Sequence, residues 1–404
     1  MNVIGMSRRG SFEPTLMDRR AFVATLAGAE ASALSGGVGA ARHPDVKALA
    51  GYGSPSPFED VVIRRPHAAS PALTPLGSQL SIITPSGLHF VRNHADVPRL
   101  DPRRHRLVVH GLVSRALSFS VADLLRFPAV ERVHFIECAG NSARGYQQLG
   151  TGIQYSHGLV SCTLWTGVRL RDLLNEVGPA SDARWFIAEG GDGSHFDVSI
   201  PLTAAGEALV VYGQNGEMLR PEQGYPMRLV LPGFEGSTHV KWLRRIKLVT
   251  GPAYSREETA QYAQRGADGK VRLFDFVMNV KSVITFPSPG NRLPAPGAYE
   301  GRGFAWSGRG RITRVEVSLD GGASWNDAGI GSGPMSKAFT RFTFPLAWDG
   351  RPLRLQSRST DETGDVQPTL SALIAQRGAS LRYHVNAIAT WNLAPDGSVT
   401  DAAG

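Results

Sequence analysis

An α+β domain followed by an immunoglobulin-like β-sandwich is the fold class that this 404-residue sequence predicts. Up to about residue 250, strand-like apolar runs alternate irregularly with short helical ones. From about residue 275 the pattern turns to period-two alternation broken by turn signals, with no helical stretch between. Hydrophobic residues make up 42% and charged residues 19%, with 46 glycines and 26 prolines, a loop-rich globular composition that is neither disordered nor membrane-embedded.

At the N-terminus, Asp18-Arg19-Arg20-Ala21-Phe22-Val23 leads into an apolar Ala/Gly-rich run, Ala24 to Ala33. Paired arginines before a weakly hydrophobic run match a twin-arginine export signal, expected over residues 1–41 with its linker and cleaved in a periplasmic protein. The run is too short for a membrane span, and an ordinary amphipathic helix is the plainer alternative. Twin-arginine export carries proteins already folded, often around a cofactor. Residues 42–75 read as an N-terminal arm, Pro/Ser-rich from 53 onward.

Residues 76–255 form the predicted first domain. Arg106 to Gly111 reads as a strand entering a turn, and Ser120 as the cap of a short helix through Leu125. Leu170 to Leu174 is a second helix ended by Gly178-Pro179, and Met227 to Leu231 a buried strand. Residues 256–274 connect to the sandwich, residues 275–392. There Val315, Val317 and Leu319 alternate with Arg314, Glu316 and Ser318, and Asp320-Gly321-Gly322 forms a hairpin turn into a return strand at Ser324-Trp325. Phe339 to Phe344 and Leu353 to Arg358 add further strands, and residues 393–404 read as a tail.

The chemistry begins with HFIECAGNS, His134 to Ser142, where one of only two cysteines ends a strand and opens a small-residue turn. A thiol so placed meets a metal, a substrate carbonyl or another thiol. Two cysteines are too few for an iron–sulfur cluster, and no C-x-x-C-H motif attaches a haem. Zinc motifs and a strand–helix G-x-G-x-x-G are likewise missing. A disulfide between Cys138 and Cys162 is the structural alternative. The formal net charge of +8 favours an anionic cofactor, substrate or partner. No Lys/Arg-rich helix with interleaved aromatics points to nucleic acid. Phe90-Val91-Arg92-Asn93-His94, His239-Val240-Lys241-Trp242 and Arg228 each set cationic groups beside apolar sequence. Each alone reads equally as a structural ion pair, and one large anion would account for all three.

FVRNH, ECAGN, EQGYPMRLVLPG and HVKWLRRIK together resemble the core motifs of the sulfite oxidase family of molybdenum enzymes. The resemblance runs from about residue 76 to 392 and implies a molybdopterin-binding catalytic domain before the sandwich. It implies Cys138 as the molybdenum ligand. Phe90, Val91, Arg92, Asn93, His94, Asp192, Arg228, His239, Val240 and Lys241 would line the pterin and its phosphate. Gln223 would contact the pterin, Tyr262 would stand over the metal, and Arg92 would hold the anionic substrate or the cofactor. The sandwich would mediate a homodimer, or a heterotetramer with a cytochrome. GSQLSIITPSGLHF, LRPEQGYP, SREET and KSVITFPSPG look like the sulfane dehydrogenases of thiosulfate oxidation within that family. Such enzymes oxidise a cysteine persulfide on a sulfur-carrier protein and pass electrons to a separate c-type cytochrome. A free-standing sulfite dehydrogenase is the neighbouring alternative, beside an S-oxide or N-oxide reductase and a non-enzymatic exported binding protein. Sulfite-oxidising relatives carry a substrate arginine five residues after the cysteine; Ala143 stands there, with Arg144 next.

Overall fold

The structure, a computed structural model, describes residues 72–143, 150–194, 196–331 and 333–402. The expected export signal, residues 42–71 of the arm, and Arg144 lie outside the described residues.

The first domain runs through β1 (Leu107–Gly111), β2 (Leu117–Phe119), α1 (Val121–Leu124), β3 (Val130–Glu137), α2 (Ile153–His157), β4 (Val160–Arg169) and α3 (Leu170–Val177). It continues with β5 (Trp185–Gly190), β6 (Asp197–Pro201), β7 (Leu209–Gln214), β8 (Glu217–Met218), β9 (Arg228–Val230) and β10 (Leu243–Val249). Local chemistry sets the helix ends. The Ser120 hydroxyl accepts the Asp123 N–H while the Asp123 carboxylate accepts the Ser120 N–H, a reciprocal cap. Helix α3 buries Leu170, Leu173, Leu174 and Val177, one face at helical spacing, and stops at Gly178 with φ +66°.

Two sheets frame this domain, one ordered β2-β1-β10-β5-β6 and one ordered β3-β4-β7-β8 with β9 also on β7. Only β1 and β10 pair in parallel among the strand pairs of the first sheet. Its core gathers Leu107, Val109, Phe186, Ile246 and Leu248 with the buried face of α3. The all-buried β9 matches the strand expected at Met227 to Leu231.

A hairpin of β11 (Gln264–Arg265) and β12 (Val271–Arg272) leads to the sandwich. This contains β13 (Lys281–Phe286), β14 (Gly297–Trp306), β15 (Ile312–Ser318), β16 (Asn326–Asp327), β17 (Gly329–Ile330), β18 (Thr340–Trp348), β19 (Leu353–Asp361), α4 (Leu370–Arg377), β20 (Thr390–Leu393) and β21 (Val399–Asp401). The antiparallel sheets β13-β14-β18-β17 and β16-β15-β19-β20-β21 enclose Val283, Trp306, Val315, Phe342, Leu355 and Trp391. That core extends into the first domain through Phe135, Val160 and Cys162, so the boundary between the domains is packed like an interior.

Three expectations change. Helix α4 interrupts the strands: Thr369 caps it by accepting the Ala372 N–H, but only Leu373 is buried, so no apolar stripe announces it. Strand β21 lies in the expected tail, because a turn at Gly397, φ +83°, returns the chain alongside β20. The strand after Asp320-Gly321-Gly322 starts at Asn326, since the Asp320 carboxylate holds Ser324 in the turn. No helix among the described residues is long and apolar enough to cross a membrane.

Phe342 is fully buried between the sheets. Phe342→Ala should cost about 3–5 kcal/mol in urea unfolding, whereas Ile374→Ala, at a site 37% exposed on α4, should stay within about 0.5 kcal/mol of wild type.

Candidate active site

A cavity opens where the ends of β3 and β5, strand β9, the chain entering β10 and the segment 89–94 converge. Its lining includes Cys138, Phe90, Arg92, Asn93, His94, Asp192, Gln223, Arg228, His239, Val240, Lys241 and Tyr262. Val91 stands outside this lining; its N–H donates to the Ala72 carbonyl at 2.9 Å and pairs the two residues as a bridge. Pairing with Ala72 in that bridge holds Val91 away from the cavity, while His89, Phe90 and the run Arg92 to His94 line it.

Cys138 leaves β3 with its N–H on the Leu159 carbonyl at 2.9 Å and its carbonyl accepting the Asn141 N–H at 2.9 Å. Gly236 packs against it so closely that a Cβ there would come within 3.1 Å of the Cys138 Cα. Burial pushes the Cys138 thiol up to about 11, with Arg92 opposing the shift. The thiolate therefore needs a cation beside it. Both cysteines are free, and Cys162 accepts the Phe339 N–H at 3.4 Å inside the core. The disulfide alternative is thereby removed.

In the cationic wall Arg228 is buried and Lys241 half-buried. Arg228 donates to the Gln223 carbonyl at 3.0 Å and the His239 carbonyl at 2.9 Å, over the Trp165 ring at 5.3 Å. Its Nε has no partner among the described residues, and burial lowers its pKa to about 9. The Lys241 ammonium bonds Asn93 Oδ1 and the Glu222 carbonyl, and burial pushes it well below the ordinary lysine range. His239 accepts the Leu231 N–H at Nδ1 and contacts the Phe234 carbonyl through Nε2, which sets the neutral tautomer protonated at Nε2. Gln223 donates to the Phe90 carbonyl at 3.0 Å. Arg92, Arg228 and Lys241 face Asp192 as the one carboxylate in the lining, so the cavity suits an anion.

Tyr262 reaches the cavity from a π-helical turn, Glu257–Gln261, whose buried Glu258 accepts the N–H groups of Ser199 and Ser255. Its hydroxyl lies 3.2 Å from His94 Nε2, and His94 stacks on Phe196 at 4.7 Å. Burial raises the Tyr262 phenol and lowers His94, so the phenol stays protonated and the imidazole neutral near neutral pH. Phe196, Gly236 and Ser237 also line the cavity. They were missed because none sits in a charged motif; Gly236 in GFEGS was the one available signal, a glycine beside a predicted strand end.

No cluster of three His, Cys, Asp or Glu among the described residues can hold a metal by itself. A metal at Cys138 would have one protein thiolate and take its remaining ligands from a cofactor, whose negative charge the Arg228–Lys241 wall would match. The residues present fit a sulfur-rich anionic metal cofactor.

Residues 94–256 match the oxidoreductase molybdopterin binding domain and residues 273–390 the Mo-co oxidoreductase dimerisation domain. Human mitochondrial sulfite oxidase is 31% identical over 366 residues, covering 82% of this chain and 67% of that protein. The chain belongs to the sulfite oxidase family. Chicken sulfite oxidase is 32% identical over 72% of its own length. The sulfane dehydrogenase SoxCD from Paracoccus pantotrophus matches at 40% identity and a TM-score of 0.83, covering 92% of this chain and 96% of that chain. Barley nitrate reductase is 34% identical, but the chain spans only 34% of its length. The protein is accordingly a molybdenum-dependent oxidoreductase whose sandwich is the family's dimerisation domain.

Burial, with Arg228 adding to it, holds His239 at about 3 against an ordinary 6.5. The unfolded chain takes up this proton first as pH falls, so stability is greatest above 6.5 and declines down to about 3. In cofactor-free protein this should remove about 2 kcal/mol between pH 7 and pH 5. Urea unfolding at both pH values should show the loss, and His239→Asn should shrink it.

Proposed function

We propose that this chain is the molybdenum subunit of a periplasmic sulfane dehydrogenase. It oxidises sulfur held as a cysteine persulfide on a carrier protein and passes the electrons to a separate c-type cytochrome, as a homodimer or a heterotetramer with that cytochrome. The observation that carries this reading is the 40% identity to SoxCD over 92% of the chain. Convergence of the expected residues, Val91 excepted, on one cavity supports it.

Bound molybdopterin supplies the two-electron redox couple and the oxygen-atom transfer. The protein's own groups bind and orient. Cys138 provides the soft thiolate. Phe90, Asn93, Asp192, Gln223, Arg228, His239, Val240 and Lys241 form the cofactor-binding wall, with Arg228 and Lys241 meeting its negative charge. Arg92 faces the same space as Cys138 and holds the anionic sulfur group close to the metal position. Tyr262, protonated and hydrogen-bonded to His94, donates to the reacting oxygen or substrate and passes its proton through the imidazole. With the cofactor bound, the Tyr262–His94 pair would offer the route by which protons leave the site. Ala143 replaces a substrate arginine in the turn after Cys138, which fits a larger, carrier-bound substrate better than free sulfite.

Purified protein from a host that makes the cofactor should contain about one molybdenum and one pterin per chain. Persulfide-loaded carrier protein should reduce it at least about tenfold faster than sulfite; equal or faster reduction by sulfite would make it a sulfite dehydrogenase. Cys138→Ser should keep the fold, by circular dichroism, and the pterin, by fluorescence after acid oxidation, while lowering turnover at least about 100-fold.

A further inference from the structure

The turn that presents Cys138 is anchored on both sides by the C-terminal sandwich. Glu137, immediately before the cysteine, is a buried carboxylate that receives three donors. Lys281 Nζ and Asn141 Nδ2 each reach Oε1 at 2.8 Å, and Trp306 Nε1 reaches Oε2 at 2.7 Å. Lys281 is on β13 and Trp306 on β14, with side-chain exposure of 2% for Lys281 and 1% for Glu137. Immediately after the cysteine, the Ala139 carbonyl accepts the His384 N–H at 2.8 Å. Beyond it, the Tyr383 ring lies 3.9 Å from where a Cβ on Gly140 would stand. Asn141 closes the turn: its side chain bonds Glu137 and the Leu159 N–H, and its backbone N–H bonds the Cys138 carbonyl.

A buried ion pair crossing a domain boundary is weak evidence of stabilisation, because desolvation of both charges offsets their attraction. Its geometric consequence is stronger. Three fixed donors hold the residue that precedes the thiol, so the thiol's direction depends on the sandwich as much as on β3. We propose that Glu137 is a positioning residue for Cys138, through which the sandwich, beyond mediating dimerisation, sets the geometry of the metal ligand. The inference rests on the molybdenum reading for its catalytic consequence, and on the hydrogen bonds alone for the position of the thiol.

The test is the Glu137→Gln/Lys281→Met pair, which removes both charges together and leaves one amide oxygen, which accepts from Asn141 or from Trp306 but not from both. Cofactor-free wild type and double variant are treated with iodoacetamide at one pH, and alkylation is mapped by mass spectrometry, with buried Cys162 as internal control. Cys138 should react about tenfold faster in the variant while Cys162 stays inert. In the metal-loaded protein, kcat should fall about 10–100-fold with KM within about twofold, and the electron paramagnetic resonance spectrum of the reduced metal should shift. A folded, metal-loaded variant with wild-type alkylation, kcat and spectrum would overturn the proposal. If the double variant does not fold, Trp306→Phe removes the indole donor together with part of a buried ring and is read by the same two outcomes. Wild-type protein without molybdenum would overturn the functional reading instead, and alkylation would then decide the positioning alone.

Discussion

Burial of cations in one cavity is the constraint on which the site depends. Arg228 is buried and Lys241 half-buried, and both face a lining with a single carboxylate, Asp192. Desolvating a guanidinium and an ammonium is expensive unless donors are satisfied and charge is matched. The protein meets the first requirement in part with backbone carbonyls, Gln223 and His239 for Arg228 and Glu222 for Lys241, while Arg228 Nε has no partner among the described residues. Those carbonyls belong to the short turn at Pro221–Gln223 and the chain entering β10. Burial pushes Arg228, His239 and Lys241 toward their neutral forms, with Glu222 and Asp192 opposing the shift at Lys241.

The scaffold makes such a site possible because its strands end together. Strand β3 delivers Cys138, β5 delivers Gly190 and leads to Asp192, and β9 begins with Arg228. A third apolar cluster, including Phe90, Ile136, Trp165 and Val230, lies under this wall and gives the cations a rigid, water-poor backing. Trp165 serves both roles, fully buried in that cluster while its ring carries Arg228.

The sandwich is joined to this arrangement as an interior is joined to itself. Phe135 and Cys162 belong to the core that also holds Trp306 and Phe342, and polar contacts at Glu137, Ala139 and Cys162 cross the same boundary. Close-packed interiors transmit displacement instead of absorbing it. Changes in the sandwich therefore have a direct structural route to the thiol. The Tyr262 side of the cavity is different: it hangs on one π-helical turn, which Glu258 ties to β6 through the Ser199 N–H.

Much of this was legible in the sequence wherever the deciding information is local. Alternation, the Ser120–Asp123 cap, the Gly178 stop and the Asp320 turn depend on residues within a few positions of one another. The charged motifs around Arg92, Arg228 and Lys241 and the strand-end cysteine were readable because polar groups inside apolar runs are conspicuous. The connections between them were not. Tyr262 meets His94 across 168 residues of chain, Lys241 meets Asn93 across 148, and Lys281 meets Glu137 across 144. Helix α4 shows one buried residue, so periodicity had nothing to register, and β21 is a strand only because β20 is there to pair with it. The sequence by itself determined which residues carry charge, thiol and turn chemistry, since that follows from side chains and their near neighbours. Only the tertiary structure decided that Val91 faces away, that Cys138 and Cys162 stay apart as thiols, and that the sandwich holds the turn that presents Cys138. Those outcomes depend on contacts between distant segments, which no local pattern encodes.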